Sequence, residues 1–173
     1  LPSAFEAKFE QEYTSTLKGK LKKGKGAVEY KYPGQIRFET NIPSTVIFVS
    51  NGVKSWYYRA PFIEGEQGEV TEAKASEGSS IYIKFFDSLN NGLSDNELYD
   101  VKKGEVATLI FKAKTSKELG IKESLIYFKK GGGQKFEDVE AIELIFPDGK
   151  KSKLKFIDLK VNSNLGADRF NFT

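Results

Sequence analysis

The chain contains no cysteine and no histidine among its 173 residues. It therefore cannot form disulfides or thiol nucleophiles, and it lacks the Ser-His-Asp and Cys-His arrangements of many hydrolases. The usual ligand sets for zinc, blue copper and haem are excluded for the same reason. Only carboxylates, hydroxyls and amines remain for catalysis. The composition predicts a protein that is not an enzyme, with no metal site and no cofactor.

An excess of one charge and long apolar runs are also missing. The net charge is +3, from 27 basic and 24 acidic residues that are interspersed along the chain. Nucleic-acid-binding proteins usually show a strong basic footprint, so nucleic acid is not an expected partner. No apolar run approaches the roughly 20 residues of a membrane-spanning helix, which predicts a soluble chain. The chain has no methionine and begins at Leu1, so we expect a processed product whose targeting signal is already removed.

Alternation of apolar and charged residues is the main pattern that is present. Phe5, Ala7, Phe9 and Tyr13 alternate with charged residues, which predicts a strand with one buried face. A lysine- and glycine-rich hairpin is predicted at 17–26, followed by alternating segments at 28–32 and 36–39. Residues 46–49 are apolar on both faces, which indicates a strand covered on both sides or a bulge. Further strands are predicted at 69–74, 106–114, 125–129, 139–146 and 153–161, and residues 170–172 resemble the start of another.

The period changes after residue 79. Ile81, Tyr82, Phe85, Phe86 and Leu89 fall at spacings of three and four, which predicts a helix with a broad apolar stripe. A serine at position 79 or 80 can cap its start, and the Asn-Asn-Gly sequence at 90–92 ends it.

Turn sequences separate the predicted strands. Asn51-Gly52 and Asp148-Gly149 suit the tight turns of hairpins, and the triple glycine at 131–133 reads as a flexible turn. The pattern predicts a mainly β protein of about ten or eleven antiparallel strands with one or two helices, in a single domain over residues 1–173. Such a meander should close or nearly close on itself, because barrels remove exposed edges. A barrel this wide leaves room for a ligand.

The segment from residue 32 to residue 58 is the most informative part of the chain. It contains a Pro-Gly turn, an Arg-Phe-Glu strand centre, a second proline, a Val-Ser-Asn-Gly turn and a Trp-x-Tyr sequence. The residues are Pro33, Gly34, Arg37, Phe38, Glu39, Pro43, Val49, Ser50, Asn51, Gly52, Trp56 and Tyr58. Their order resembles the family of LolA-type periplasmic carriers of outer-membrane lipoproteins. Further likenesses lie in the first strand, at Phe5, Ala7, Phe9 and Gln11, and near the C-terminus, at Asp148, Gly149, Asn162, Leu165, Phe170 and Phe172.

The resemblance implies an incomplete β-barrel whose helices cover a cavity for the acyl chains of a lipoprotein. The implied partners are lipidated lipoproteins, an inner-membrane ABC-type lipoprotein release complex and an outer-membrane lipoprotein receptor. The implied location is the periplasm of a Gram-negative bacterium, where a monomer would make only transient membrane-associated contacts. The helix that usually precedes the first strand and the usual C-terminal continuation are missing, and we expect that they were trimmed or are disordered.

One position departs from the family pattern. Better-known members carry an arginine just before the first proline, where it helps to control the lid, and here Tyr32 stands at that position. A tyrosine cannot supply the same permanent charge, so lid control by this position is in doubt.

The expected acyl-chain site is formed by apolar side chains of the strands and the helix. The strand residues are Phe9, Tyr13, Tyr30, Ile36, Phe38, Phe48, Trp56 and Tyr58, and the helix residues are Ile81, Phe85 and Leu89. Leu109, Phe111, Phe128, Leu144 and Phe156 complete the expected lining. Alternation alone favours a packed core without a cavity, whereas the resemblance favours a lined cavity.

Other functions stay open at this stage. An outer-membrane lipoprotein receptor of the same fold would carry a lipidated cysteine upstream of Leu1, and a lipid-binding sensor or interaction domain would use the same scaffold without delivering cargo. An acid–base enzyme would need closely spaced carboxylates, for which Asp95, Glu97 and Asp100 are the candidates, although they read better as a polar loop. The lysines of the predicted hairpin, at positions 18, 20, 22, 23 and 25, read as a solvated tip rather than as a membrane-binding surface.

Overall fold

The computed structural model describes residues 2–14, 21–42, 44–61, 63–74 and 81–172. The first six strands are β1 (Ala4–Thr14), β2 (Leu21–Lys31), β3 (Gln35–Ile42), β4 (Val46–Asn51), β5 (Lys54–Arg59) and β6 (Glu69–Lys74). Helix α1 (Ile81–Ser88) follows, and then β7 (Tyr99–Lys102), β8 (Val106–Phe111), helix α2 (Ala113–Leu119), β9 (Glu123–Phe128), β10 (Val139–Ile145) and β11 (Lys151–Val161). Short 3-10 helices occupy Leu89–Asn91, Phe136–Asp138 and Ala167–Phe170.

The strands form one antiparallel sheet of 11 strands in the order β6-β5-β4-β3-β2-β1-β11-β10-β9-β8-β7. The first and last strands pair at its centre, with Phe9 opposite Phe156. Strands β6 and β7 are the two edges, so the sheet is open rather than closed. The prediction of a mainly β, half-open antiparallel architecture with about ten or eleven strands is confirmed.

Helix α1 lies against one face of the sheet, which we call the concave face. Its side chains contact residues far apart in the strand order, because Tyr82 stacks on Phe38 of β3 while Phe85 meets Phe111 of β8. The sheet therefore curves around the helix. On α1 itself Lys84 is exposed, whereas Tyr82, Phe85 and their apolar neighbours are buried. In the described part of the chain no helix is both long enough and apolar enough to cross a membrane.

Gly26 explains how a glycine- and lysine-rich segment can be part of a strand. A Cβ atom at this position would lie 2.7 Å from Cζ of Phe9, so only glycine allows the aromatic ring to lie across β2. Within the hairpin predicted at 17–26, the described residues 21–26 pair with β1 as the start of β2, so they form an arm of the hairpin rather than its tip. Lys18 and Lys20 lie outside the described residues, as do Pro43, the serines at 79 and 80, and Thr173.

The chain after α1 differs from the predicted pattern in two places. Strand β7 was not predicted, although its Tyr99 is fully buried. The strand predicted at 106–114 ends at Phe111, and α2 begins at Ala113. Gly120 ends α2 in the left-handed conformation that favours glycine, with φ of 75°.

The C-terminal segment lies on the other face of the sheet, which we call the convex face. The predicted strand at 170–172 is absent, since Ala167–Phe170 form a 3-10 helix that contacts β3 and β4. Phe170 is buried with Ala4 and Leu165 in a small separate cluster. Arg169 forms an ion pair with Glu29 at 3.0 Å. This covering explains why β4 is apolar on both faces, with Val49 as buried as Phe48.

Candidate functional site

The concave face collects most of the aromatic and aliphatic side chains that the sequence placed in the cavity. Strand register and burial place on it, or at its rim, Phe9, Tyr13, Tyr30, Ile36, Phe38, Phe48, Leu109, Phe111, Phe128, Leu144 and Phe156. Helix α1 contributes Ile81 and Phe85, and the 3-10 helix after it contributes Leu89. Tyr13 is half-buried at the rim, beside Phe146 and Pro147.

Trp56 and Tyr58 are the two predicted lining residues that lie on the other face. Phe38 pairs with Phe48, and Phe48 pairs with Tyr57, so Tyr57 shares the concave face. Tyr58 points to the convex face, where its ring stacks on Phe172 at 5.6 Å between centroids. The placement of Trp56 and Tyr58 in the cavity is therefore corrected.

A signal for Tyr57 was available in the sequence. Any two-residue turn between two strands pairs even-numbered residues of one with odd-numbered residues of the other. Counting through the turn after β4 therefore puts Tyr57, and not its two aromatic neighbours, beside Phe48.

Helix α1 fills the centre of the concave face with aromatic rings. Tyr82 stacks on Phe38 with centroids 4.8 Å apart and an interplanar angle of 11°. Phe86 packs edge-on against Phe5 at 5.1 Å and tilts against Tyr30 at 5.4 Å. The centre is thus a packed core, and apolar pockets lie beside it.

Two apolar pockets lie beside α1 and the 3-10 helix that follows it. The first apolar pocket has a volume of ≈ 430 Å³, and its lining is Phe38, Thr40, Val46, Phe48, Tyr57, Ile81 and Tyr82. The second apolar pocket, of ≈ 220 Å³, is lined by Leu89, Gly92, Leu93, Ile126, Phe128, Gln134, Lys135, Phe136 and Val139. The first is within the size range of about 300–1,000 Å³ that is typical of ligand sites.

The C-terminal end of α1 is tied to the sheet by one carboxylate. Oδ1 of Asp87 accepts hydrogen bonds from the Tyr30 hydroxyl at 2.5 Å and from the Gly34 backbone N–H at 3.1 Å. Burial and the neighbouring Asp87 raise the pKa of Tyr30, so its phenol stays protonated and keeps donating. Tyr32, at the position of the family's arginine, is exposed instead, and the contact to α1 comes from Tyr30, two residues earlier.

The N-terminal end of α1 is tied to the sheet by a tyrosine. The Tyr82 hydroxyl is 2.5 Å from Oγ of Ser152, and Nε2 of Gln11 donates to the Tyr82 oxygen at 3.3 Å. Burial raises the pKa of Tyr82 to about 12. Both ends of the helix are therefore held by specific polar contacts across an otherwise apolar surface.

The convex face carries a depression of a different character. Its volume is ≈ 460 Å³, and its lining includes Glu6, Lys8, Glu29, Arg37, Glu39, Asp158, Lys160 and Arg169. An apolar ligand there would remove water from charged groups without replacing their hydrogen bonds, which is unfavourable. The concave face is therefore the better site for an apolar ligand.

The carboxylates considered for acid–base chemistry lie away from the concave face. Asp95, Glu97 and Asp100 are all exposed. Oδ1 of Asp95 accepts the Val101 backbone N–H at 2.7 Å, which is a structural role in the turn before β7.

Sequence comparison shows that the chain is similar to one family of known proteins over nearly its whole length. The family described as outer membrane lipoprotein carrier protein LolA matches residues 2–173. An outer-membrane lipoprotein carrier protein of Vibrio vulnificus is 30% identical over 175 residues, covering 97% of this chain and 78% of its own. Its counterpart from Photobacterium profundum is 31% identical over 156 residues, covering 90% of this chain and 72% of its own.

A solved structure shows the same fold at low sequence identity. The crystal structure of a LolA superfamily protein from Nitrosomonas europaea superposes with a TM-score of 0.54 and 10% identity, covering 99% of this chain and 91% of that one. With the match over nearly its whole length, the chain belongs to the LolA family of outer membrane lipoprotein carrier proteins.

Proposed function

We propose that this protein is a periplasmic carrier that holds the acyl chains of lipoproteins between the concave face and α1 and moves them from the inner to the outer membrane. The relatives that share its family are named as outer-membrane lipoprotein carrier proteins. Each exposed CH₂ group costs about 0.8 kcal/mol in water, so a long acyl chain needs a shield to cross an aqueous compartment.

The observation that carries this proposal is the first apolar pocket. Phe38 and Phe48 form its sheet side, and Ile81 and Tyr82 form its helix side, so a chain entering it wedges between the sheet and α1. The pocket borders the aromatic core that α1 fills. An acyl chain that displaces these rings replaces one apolar contact by another, which leaves the polar ties of α1 as a main cost of opening.

The proposed partners follow from this role. An inner-membrane ABC-type release complex supplies the lipoprotein, and an outer-membrane receptor takes it over. Directed transfer needs only that each site bind the acyl chains better than the one before it, so this chain performs no chemical step. Its contacts with both membranes are transient.

A release assay tests the proposal. Inner-membrane vesicles that contain the ABC-type complex are loaded with one lipoprotein, and this protein and ATP are added. We expect a soluble one-to-one complex of the two proteins in the supernatant. If the lipoprotein stays on the vesicles, the carrier function is overturned; a fatty acid or phospholipid recovered with the purified protein would then identify a lipid-binding domain instead.

Two charge substitutions on opposite faces sharpen the assay. Phe38→Glu puts a carboxylate into the first apolar pocket and should abolish complex formation, because burying it beside an acyl chain is strongly unfavourable. Val70→Glu, on the exposed convex side of edge strand β6, is the matched control and should release lipoprotein like the wild type. Equal activity of both variants would contradict the placement of the cargo on the concave face.

A further inference from the structure

A small polar cluster interrupts the apolar concave face. Nε2 of Gln11 donates to Oγ of Ser152 at 3.2 Å and to the Tyr82 oxygen at 3.3 Å, and the two hydroxyls of Tyr82 and Ser152 are 2.5 Å apart. Ser152 and Tyr82 are buried, at 4% and 7% exposure. The three side chains meet from two strands and the helix, and each makes a hydrogen bond to another member of the cluster.

The cluster lies next to the first apolar pocket and near the rim of the sheet. Tyr82 forms part of the pocket wall, with its ring stacked on Phe38. Gln11 is close to the end of β1 at Thr14, and Ser152 is the second residue of β11. A ligand whose chains lie along the concave face would have its head near this rim.

We propose that Gln11 and Ser152 form a polar subsite for the carbonyl oxygen that joins an acyl chain to its head group, an ester or amide carbonyl. This inference rests on the carrier function proposed above. When α1 moves away with Tyr82, half-buried Gln11 and buried Ser152 both lose their contact with the Tyr82 oxygen. Polar groups left without a partner beside apolar surface are costly, and a carbonyl oxygen has two lone pairs with which to accept from both side chains.

The same geometry assigns Tyr82 a second role. Its hydroxyl oxygen occupies the place of the cargo carbonyl in the closed state, so the lid and the cargo compete for one pair of donors. Release of cargo is then coupled to return of α1, because Tyr82 restores the hydrogen bonds that the departing carbonyl gives up. A purely hydrocarbon ligand gains nothing at this position.

Ester- and ether-linked lipids separate this subsite from general apolar binding. The probes are two synthetic lipopeptides with the same head, one with two ester-linked palmitoyl chains and the other with two ether-linked hexadecyl chains, which lack the carbonyls. Affinities are measured by displacement of a fluorescent fatty acid. The quantity compared is the ratio of the affinity for the ester to the affinity for the ether. We expect this ratio to be roughly tenfold larger in the wild type than in Ser152→Ala, which corresponds to one to two hydrogen bonds.

Variants of the cluster have distinct expected results. Gln11→Leu should lose the ester preference as Ser152→Ala does, whereas Tyr82→Phe should keep it, because both donors remain. Ser124→Ala is the matched control, since Ser124 is a buried serine of β9 whose hydroxyl donates to the Glu143 carbonyl at 3.1 Å, away from the cluster. Thermal unfolding of each variant shows that it is folded.

The outcomes distinguish the subsite from the carrier function. An ester-to-ether ratio that is the same in the wild type and in Ser152→Ala overturns the subsite and leaves the carrier function standing. Failure of the wild type to bind either lipopeptide overturns the carrier function and the subsite with it. Loss of the ester preference in Ser124→Ala would also contradict the assignment, because it would place the carbonyl elsewhere.

Discussion

The hydroxyl of Tyr30 donates a hydrogen bond of 2.5 Å to Oδ1 of Asp87, which joins β2 to the C-terminal end of α1. The same oxygen accepts the backbone N–H of Gly34 at 3.1 Å, so a single carboxylate holds two donors of the sheet. In the proposed carrier α1 must leave the concave face for cargo to enter. The Tyr30–Asp87 contact is therefore part of the free energy that keeps the lid closed.

Replacing Asp87 by alanine should loosen α1. Hydrogen bonds to a charged group contribute about 1.5–3 kcal/mol, so we expect the amide protons of residues 81–88 to exchange with solvent at least roughly tenfold faster. Hydrogen exchange followed by mass spectrometry on a peptide that covers α1 measures this. Lys84→Ala, an exposed substitution on the same helix, is the control and should leave the exchange rate close to that of the wild type. Equal protection in Asp87→Ala and the wild type would show that packing alone holds the lid.

Tyr57 and Trp56 are adjacent aromatic residues on opposite faces of β5, which makes them a matched pair. Tyr57→Ala should weaken acyl-chain binding by roughly tenfold, because it removes an apolar wall of the first pocket. Trp56→Ala should leave the affinity nearly unchanged, because Trp56 lies on the face of Val49. Titration with a fluorescent fatty acid measures both. A larger loss of affinity in Trp56→Ala would restore the sequence-based placement of that residue in the cavity.

Local pattern was enough to predict α1 and most of the strands, but not their relative placement. The alternation of Phe5, Ala7 and Phe9 predicted the inner face of β1, and the three-and-four spacing that runs through Tyr82, Phe85 and Leu89 predicted the apolar face of α1. Both patterns depend on residues within a few positions of one another, which is why they are readable in a sequence.

Contacts between distant residues were beyond this kind of prediction. Gln11 and Ser152 are 141 residues apart and meet only because β1 pairs with β11. The filling of the concave face by Phe86 and Tyr82 likewise depends on how α1 docks, so the sequence left a packed core and an open cavity as alternatives. The structure contains a packed centre with apolar pockets on either side.

Gly26 is a position at which any side chain should destabilise the fold. A Cβ atom there would lie 2.7 Å from the ring of Phe9 and would also overlap the backbone carbonyl of Glu39, which cannot move without disturbing β3. Overpacking of this kind costs about 1–3 kcal/mol, so Gly26→Ala should lower the free energy of unfolding by at least that amount. Urea denaturation measures the change. Gly104→Ala, where a new Cβ would lie 3.6 Å from the Val106 carbonyl oxygen, should stay within about 0.5 kcal/mol of the wild type. Similar stability of the two variants would contradict the close approach of β2 to Phe9.

Alkaline pH should destabilise the fold through its buried tyrosines. Burial raises the pKa of Tyr82 from 10.0 to about 12, and it also raises the pKa of Tyr30 and Tyr99. Between about pH 10 and about pH 12 the unfolded chain releases the proton of Tyr82 while the folded protein keeps it, so unfolding is favoured as the pH rises. The contribution of protonated Tyr82 to the free energy of unfolding is complete below about pH 10 and is lost by about pH 12. The loss amounts to about 2–3 kcal/mol.

Comparison with Tyr82→Phe isolates this contribution. The variant has no ionisable group at the position, so its free energy of unfolding should fall by about 2–3 kcal/mol less than that of the wild type between about pH 9 and about pH 12. Urea denaturation across this range measures both curves. Tyr32→Phe removes a tyrosine that is 46% exposed, and its curve should follow the wild type. If the curves of Tyr82→Phe and the wild type stay parallel, Tyr82 is accessible to water in the folded protein, and α1 does not seal the Gln11–Ser152 cluster.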